Sequence, residues 1–251
     1  MSTKRLARKL GLVRKHRHEK KAKGAEKQSY AFLIVLDFES TCWKNRKEKR
    51  PEIIEFPAVL LNVASGEIES KFQEYVQPTE NPHLSEFCQK FTGIQQNQVT
   101  DSAPLSAVLR LFLDWIKRLE REKDFVCAGS DGQSENEKRC TLVTWSDWDL
   151  GVCLHYECKR KQIRKPAIFN TWIDLRATYR SFYERIPRGL NGALEDLGLE
   201  FEGRQHSGLD DAKNTAKLCW QIIQDGCILL PTASSNPPAP VVQRPALKEK
   251  Q

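Results

Sequence analysis

No apolar run of about 18 residues occurs in the sequence, so no membrane-spanning helix is expected. The longest apolar stretches, such as Ala31–Leu36 and Ala58–Leu61, have the length of core strands. No Cys-x-x-Cys pair exists among the eight cysteines, and no secretory apolar segment precedes them. Cys153 and Cys158 lie closest in sequence, but nothing around them completes a zinc set. Cys42, Cys153 and Cys219 sit in apolar settings, where a free thiol behaves as a small hydrophobe. A reduced intracellular protein is expected, in the nucleus, the nucleolus or the cytoplasm. Internal repeats are also missing.

What is present begins with charge. The formal net charge of +7 is not spread evenly. Residues 1–27 hold eleven Lys and Arg against two Glu, and the remaining 224 residues are slightly acidic, with 29 basic and 31 acidic groups. Residues 1–29 therefore read as a basic arm suited to phosphate backbones, anionic surfaces or an import receptor. A solvated tail without a specific partner is the plain alternative. So is an organelle-targeting helix, because residues 1–18 are free of acids and place Leu6, Leu10 and Val13 on one helical face.

Ala31–Asp37 is an apolar run ending in an acid and reads as a buried strand. Ile53–Asn62 and Ile68–Val76 complete a meander, with Pro57 demanding an edge or a bulge in the second strand. Short helices are expected at 84–90 and 95–99. The spacing of Leu105, Val108, Leu109, Phe112, Trp115, Ile116 and Leu119 predicts a helix over Leu105–Glu122. Residues 129–139 read as a polar loop insertion. Thr141–Trp145 and Ile168–Asp174 read as strands; Asp149–Arg160, 175–184, Leu190–Leu197 and Leu209–Asp225 read as helices, the last closed by Gly226. Residues 230–251 are Pro- and Ser-rich and read as a disordered tail. Three antiparallel strands followed by alternating helices and strands imply one α/β domain over 30–229 with a mixed sheet. Acids at the end of its first strand would face a crevice where such sheets bind ligands.

Three short patterns carry chemistry. In Asp37-Phe38-Glu39 the strand period turns both carboxylates to one side and Phe38 to the core. Two acids so placed repel each other unless cations neutralise them, and hard oxygen donors suit Mg²⁺ or Mn²⁺. A strand running out into solvent also collects acids, so this pair alone does not decide. In His206-x4-Asp211, Asp211 opens a helix and His206 lies in the loop before it. Histidine titrates near neutral pH and can act as a general base, while an Asp in a first turn is also a routine partner of the helix dipole. Asp210 is a rival for the role of Asp211. In Trp145-Ser146-Asp147-Trp148-Asp149 a strand gives way to a helix. Asp149 could cap that helix or join the other acids, and Trp148 could be core or a platform for a base.

Taken in this order, the three patterns resemble the DEDDh exonuclease superfamily, whose fold is ribonuclease-H-like. DFESTCW (37–43), EIIEFPAVLLN (52–62), LSEFC (84–88) with TGI (92–94), VTWSDWDL (143–150) and GRQHSGLDDAKN (203–214) narrow the resemblance to the histone-mRNA 3′-end exoribonuclease family, the enhanced-RNAi exonucleases. It covers about residues 30–229. The resemblance implies a 3′→5′ exonuclease acting on RNA with a free 3′ end and releasing nucleoside 5′-monophosphates. It implies two Mg²⁺ ions, or Mn²⁺, held by Asp37, Glu39, Asp149 and Asp211. Asp37 would be shared by both ions, Glu39 and Asp211 would serve the nucleophile side, and Asp149 would serve the other. Glu39 and His206 would be the catalytic groups, with His206 taking the proton of the attacking water. Both would also border the last nucleotide, which would lie against Ser40 and Leu150, with Phe87 and Trp148 at stacking positions.

Two departures limit the transfer. The family's best-known member carries an N-terminal nucleic-acid-binding SAP domain, which nothing here resembles beyond the basic arm, so stem–loop specificity is not carried over. Longer members of the subgroup carry a C-terminal zinc-finger region, and the resemblance implies that this chain is a shorter form ending in an unrelated tail. DNA as substrate stays open, because the fold serves both polymers, and so does an RNA-binding module without catalysis. Neither membrane association nor any protein partner is implied. If the arm contacts phosphates, deleting residues 4–27 weakens RNA binding most at low salt and flattens the plot of log Kd against log salt concentration. An equal loss at 50 and 300 mM salt, roughly spanning the sensitive range, would exclude phosphate contacts as the cause.

Overall fold

The computed structural model describes residues 28–45, 50–127 and 138–234. The basic arm up to residue 27, most of the 129–139 insertion and the tail from residue 235 lie outside them. One eight-stranded mixed sheet organises the rest. Its strands are β1 (Phe32–Leu36), β2 (Glu39–Ser40), β3 (Ile53–Asn62), β4 (Ile68–Tyr75), β5 (Phe125–Cys127), β6 (Lys138–Thr144), β7 (Thr171–Asp174) and β8 (Ala233–Ser234). The order is β2-β3-β1-β6-β7-β8, with β4 on β3 and β5 on β6. β1 runs antiparallel to β3 and parallel to β6. This is the expected ribonuclease-H-like arrangement of meander plus parallel strands.

The β1 run is apolar throughout because both faces of the sheet are covered. Phe32, Ile34 and Leu36 join one core with Phe56, Phe72, Phe112, Trp115 and Phe169. Helix α3 (Leu105–Lys123) closes this side. Leu33 and Val35 face the opposite core, built from α5 (Leu175–Tyr183), α6 (Gly189–Asp196) and α7 (Gly208–Gln224). Phe38 returns to the first core and packs edge-on to Phe56 at 4.5 Å. The two-residue period thus carries through Asp37 and Glu39 and directs both toward the α7 side.

Several elements differ from the sequence expectation. Pro57 is neither on an edge nor at a bulge of its own: β3 is an interior strand, and its register shift against β4 falls at Leu60/Leu61. β1 pairs with Ala58–Asn62 and β2 with Ile53 and Glu55, so Pro57 lies opposite the break between β1 and β2, where no ladder N–H is called for. Residues 148–160 are not one α-helix. A π-helix spans Trp148–Leu154 and only His155–Arg160, α4, is α-helical. Residues 167–170 form a 3₁₀ turn that drives Phe169 into the core, and the strand expected from Ile168 starts at Thr171. β6 starts at Lys138, inside the stretch read as insertion. β8 lies in the stretch read as disordered tail and pairs with β7. The two short helices are α1 (Glu86–Thr92) and α2 (Gln96–Thr100).

A buried ionic cluster fixes β3 against the layer that supplies the third acid. Glu157 on α4 accepts the Ile53 N–H at 2.7 Å and the Lys161 ammonium at 2.7 Å. The same ammonium pairs with Glu52 at 2.7 Å, and Glu52 also accepts the N–H groups of Thr79, Glu80 and Asn81. Both glutamates are fully buried. Removing the shared cation would leave two buried carboxylates side by side. Lys161→Met is expected to lower the free energy of unfolding at pH 7 by about 3 kcal/mol. Urea denaturation measures it, and a loss below about 1 kcal/mol would mean that the cluster is not a tether.

Candidate active site

The site lies where β1 ends. Asp37 follows its last residue, and Glu39 opens β2, directly opposite Glu55 on β3. Facing like charges across an antiparallel pair destabilise a sheet. Glu39 and Glu55 are nonetheless both buried. Asp149 comes from the π-helix on the first-core side. It is buried, and its Oδ1 accepts the Phe38 N–H at 2.8 Å. It is therefore bonded to the backbone between the first two acids rather than capping its own helix. Asp211 comes from the first turn of α7 on the other side, and its Oδ2 accepts the His206 N–H at 2.9 Å.

Helix α7 approaches the strand end very closely. A Cβ on Gly208 would stand 2.6 Å from the carbonyl oxygen of Asp37 and 2.8 Å from Pro57. Only glycine permits this approach. Glu55 completes the joint by accepting the Gly208 N–H at 3.2 Å and the Gln73 side-chain amide at 2.7 Å. Asp210, the rival to Asp211, is otherwise engaged. It accepts the Arg204 N–H at 3.0 Å and pairs with Lys213 at 2.8 Å. Partial burial pushes its pKa up, but Lys213 and the Arg204 N–H outweigh that and hold it below the ordinary range.

Among the described residues, Asp37, Glu39, Asp149 and Asp211 have no cation comparable to Lys213. Burial, then Asp149, Asp211, Glu39 and Glu55, push Asp37 well above the ordinary carboxylate range. Burial, then Asp211, Glu55 and Asp149, push Glu39 up to about 9. Burial raises Asp149 to about 7 against the opposing Phe38 N–H. Burial also raises Asp211 to about 7, helped by Asp210 and Glu55 and opposed by the His206 N–H. Such a set is expensive as bare charge, and its donors are hard oxygens that fit Mg²⁺ or Mn²⁺. Among the described residues no three such groups yet stand at the spacing of one ion's ligands. Asp149 and Asp211 are turned to backbone N–H groups, so an ion would have to draw the carboxylates in from this arrangement.

His206 sits in the left-handed region at φ 61° and is exposed in the loop before α7. Its ring stacks on Phe91 at 4.0 Å, and Phe91 stacks on Phe87 at 5.5 Å. Desolvation, then the Arg204 charge, lowers its pKa, which favours the neutral imidazole. Arg204 braces this rim. Its guanidinium donates to the carbonyls of Lys90, Phe91 and Thr92 at the end of α1, passing over Gly93 at φ 79° where no side chain would fit. Phe87 and Trp148 are exposed, as stacking positions require, and Ser40 is half-buried beside Glu39. Leu150 lies in the first core, and its side chain is fully buried. Glu55, Phe91 and Arg204 were not singled out from the sequence. Glu55 had a signal, as the lone acid within an apolar strand, and Phe91 follows Phe87 by one helical turn. Arg204 had none.

Comparison with known proteins gives consistent results. The family profile described as "Exonuclease" (RNase_T) matches residues 34–219. ERI1 exoribonuclease 2 of Mus musculus is 56% identical over 244 residues, covering 94% of this chain and 35% of that protein. The chain thus spans about a third of that relative's length. The 3′-5′ exonuclease Snipper of Drosophila melanogaster is 42% identical, covering 89% of this chain and 80% of its own length. Among solved structures, the nuclease domain of 3′hExo, a DEDDh family member bound to rAMP, superposes with a TM-score of 0.73 at 37% identity, covering 82% of this chain and 98% of that one.

Carboxylates with raised pKa values bind protons on folding. The stability they contribute is full below the ordinary carboxylate range and is lost as pH rises through about 7 for Asp149 and Asp211 and about 9 for Glu39. The metal-free protein is therefore expected to show a falling Tm between pH 5.5 and 9, and millimolar Mg²⁺ or Mn²⁺ is expected to restore it. Asp37→Asn should flatten the metal-free fall. Scanning calorimetry with and without a chelator checks this, and a Tm that rises over that interval without metal would refute it.

Proposed function

The chain belongs to the exonuclease family, and on that premise we propose that it is a metal-dependent 3′→5′ exoribonuclease releasing nucleoside 5′-monophosphates. One observation carries the reading: Asp37, Glu39, Asp149 and Asp211, from three separate segments, crowd into a buried cluster of hard oxygen donors that divalent cations would neutralise. The names of the relatives support RNA as the substrate.

Asp37, Glu39, Asp149 and Asp211 would hold two divalent cations, which when bound supply charge stabilisation at phosphorus and a more acidic water. His206 accepts the proton of the attacking water. Its lowered pKa keeps the ring neutral, and so able to accept, at physiological pH. The Phe91 stack and the N–H bond to Asp211 limit where that ring can point. Phe87 and Trp148 present ring faces on which terminal bases can stack, a contact that tolerates any sequence. Ser40 and Glu39 border the last nucleotide from β2. Leu150 supports that position from beneath through the packing of the π-helix, since its side chain is not presented. A binding module without catalysis would have no need of all four acids and the histidine.

With Mg²⁺ or Mn²⁺, purified protein is expected to shorten a 5′-labelled RNA one nucleotide at a time from its 3′-hydroxyl end. Asp37→Ala should abolish product while leaving the far-ultraviolet circular dichroism intact. His206→Ala should lower kcat about 10²- to 10⁴-fold. Full activity of Asp37→Ala, or no shortening of any RNA by the wild type, would sink the reading. Faster degradation of a matched DNA oligomer would move the substrate from RNA to DNA.

A further inference from the structure

The second helical layer carries a feature that the acid cluster does not use. Along the π-helix and α4, Trp148, Val152 and Tyr156 recur at every fourth residue and are 38, 39 and 51% exposed. The inner face of the same two helices, Asp149, Leu150, Cys153, Leu154, Glu157 and Cys158, is buried. Three large apolar side chains therefore form one exposed row, although the helix has a well-filled inner face of its own. Scattered single hydrophobes on a surface need no explanation, but an aligned row does.

Val152 and Tyr156 line one wall of a groove of about 540 Å³, whose other residues include Arg50, Pro51, Lys159 and Arg160. The Arg160 guanidinium is fixed there by Glu80 at 3.2 Å and by the Pro51 carbonyl at 2.8 Å. Arg50 and Lys159 are exposed at the rim. Glu80, which reaches this wall, is already paired with Arg160. A groove that combines ring and aliphatic faces with exposed cations matches the two recognition elements of single-stranded nucleic acid, stacking bases and a phosphate backbone. A peptide docked as an added strand would need an unpaired sheet edge, and among the described residues the groove's lining includes no strand residue. The row begins at Trp148, next to Asp149 of the acid cluster, and continues along the π-helix onto α4 at Tyr156.

We infer that Val152, Tyr156 and their basic rim continue the stacking position at Trp148 into an extended subsite for single-stranded RNA, holding nucleotides upstream of the one stacked at Trp148. This rests on the exonuclease reading for its direction, because the 3′ end must lie at the acids. Tyr156 offers a ring face to an upstream base, Val152 supplies apolar contact between the two rings, and Arg50 and Lys159 meet the phosphates. Such a subsite makes binding and turnover depend on RNA length over the first few nucleotides and makes that dependence sensitive to salt.

The test uses the full chain and the double variant Tyr156→Ala/Lys159→Ala, neither residue being part of the acid cluster. With a chelator present, so that nothing is cleaved, the variant should bind a fluorescent 12-nucleotide single-stranded RNA about tenfold more weakly than wild type, within the range for losing one stacking platform. With Mg²⁺, its kcat/KM should fall about tenfold on the 12-mer and stay within about twofold on a dinucleotide. Tyr156→Phe, which keeps the ring face, should behave as wild type on both. Unchanged 12-mer affinity would overturn the subsite, and so would an equal loss on dinucleotide and 12-mer, which would point to a disturbed acid cluster. If wild type cleaves no RNA yet the variant still binds the 12-mer tenfold more weakly, the subsite stands and the exonuclease reading falls.

Discussion

Everything around the site answers to one constraint: carboxylates are packed together at a strand end without enough positive charge to balance them. Glu39, Asp149, Asp211 and Glu55 each raise the cost of ionising one or more members of the set, and Asp37 is raised by all four. A fold that keeps such a set has to hold it from several directions at once. Glu52, Glu157 and Lys161 lock β3 to α4. The Phe38 N–H holds Asp149, and the His206 N–H holds Asp211. Glu55 differs from the other four in being held by two separate partners, the Gly208 N–H and the Gln73 amide, and the first of these docks α7.

That division also explains how two neighbouring aspartates at the head of α7 come to differ so much. Asp210 has Lys213 and the Arg204 N–H, and stays acidic. Asp211, one residue on, turns inward toward the other acids, and its pKa rises to about 7. A helix turns about 100° per residue, so adjacent side chains need share neither partners nor dielectric surroundings.

The legible parts of the fold were those set by a short period. The alternation in β1 placed Phe38 inward and Asp37 with Glu39 on the other side, as found. The helical spacing of 105–119 gave α3 nearly to the residue. Illegible were the features set by partners distant in the chain. Pro57 was read as an edge or bulge signal because its own strand contains no hint that β1 breaks opposite it. The π-helix of 148–154 has the same apolar content as an α-helix, and only the geometry of its hydrogen bonds separates the two. At the site, the order of the acids and the histidine was visible through the family resemblance. Arg204 was not, because it works through carbonyl groups of a helix more than a hundred residues away. Leu150 shows the reverse limit: a motif position can be named without disclosing whether its side chain reaches the surface.

The contact between Gly208 and the end of β1 has a consequence for how this sequence can vary. A side chain at position 208 would meet backbone at 2.6 Å, and backbone at that point belongs to Asp37 itself. Relief could come only by tilting the helix or displacing the strand end, and either would carry one acid away from the rest. Position 208 is thus closed to substitution for reasons of clearance alone, although it contributes no functional group. It sets the gauge to which the two halves of the acid cluster are built, and any redesign of their chemistry has to leave it untouched.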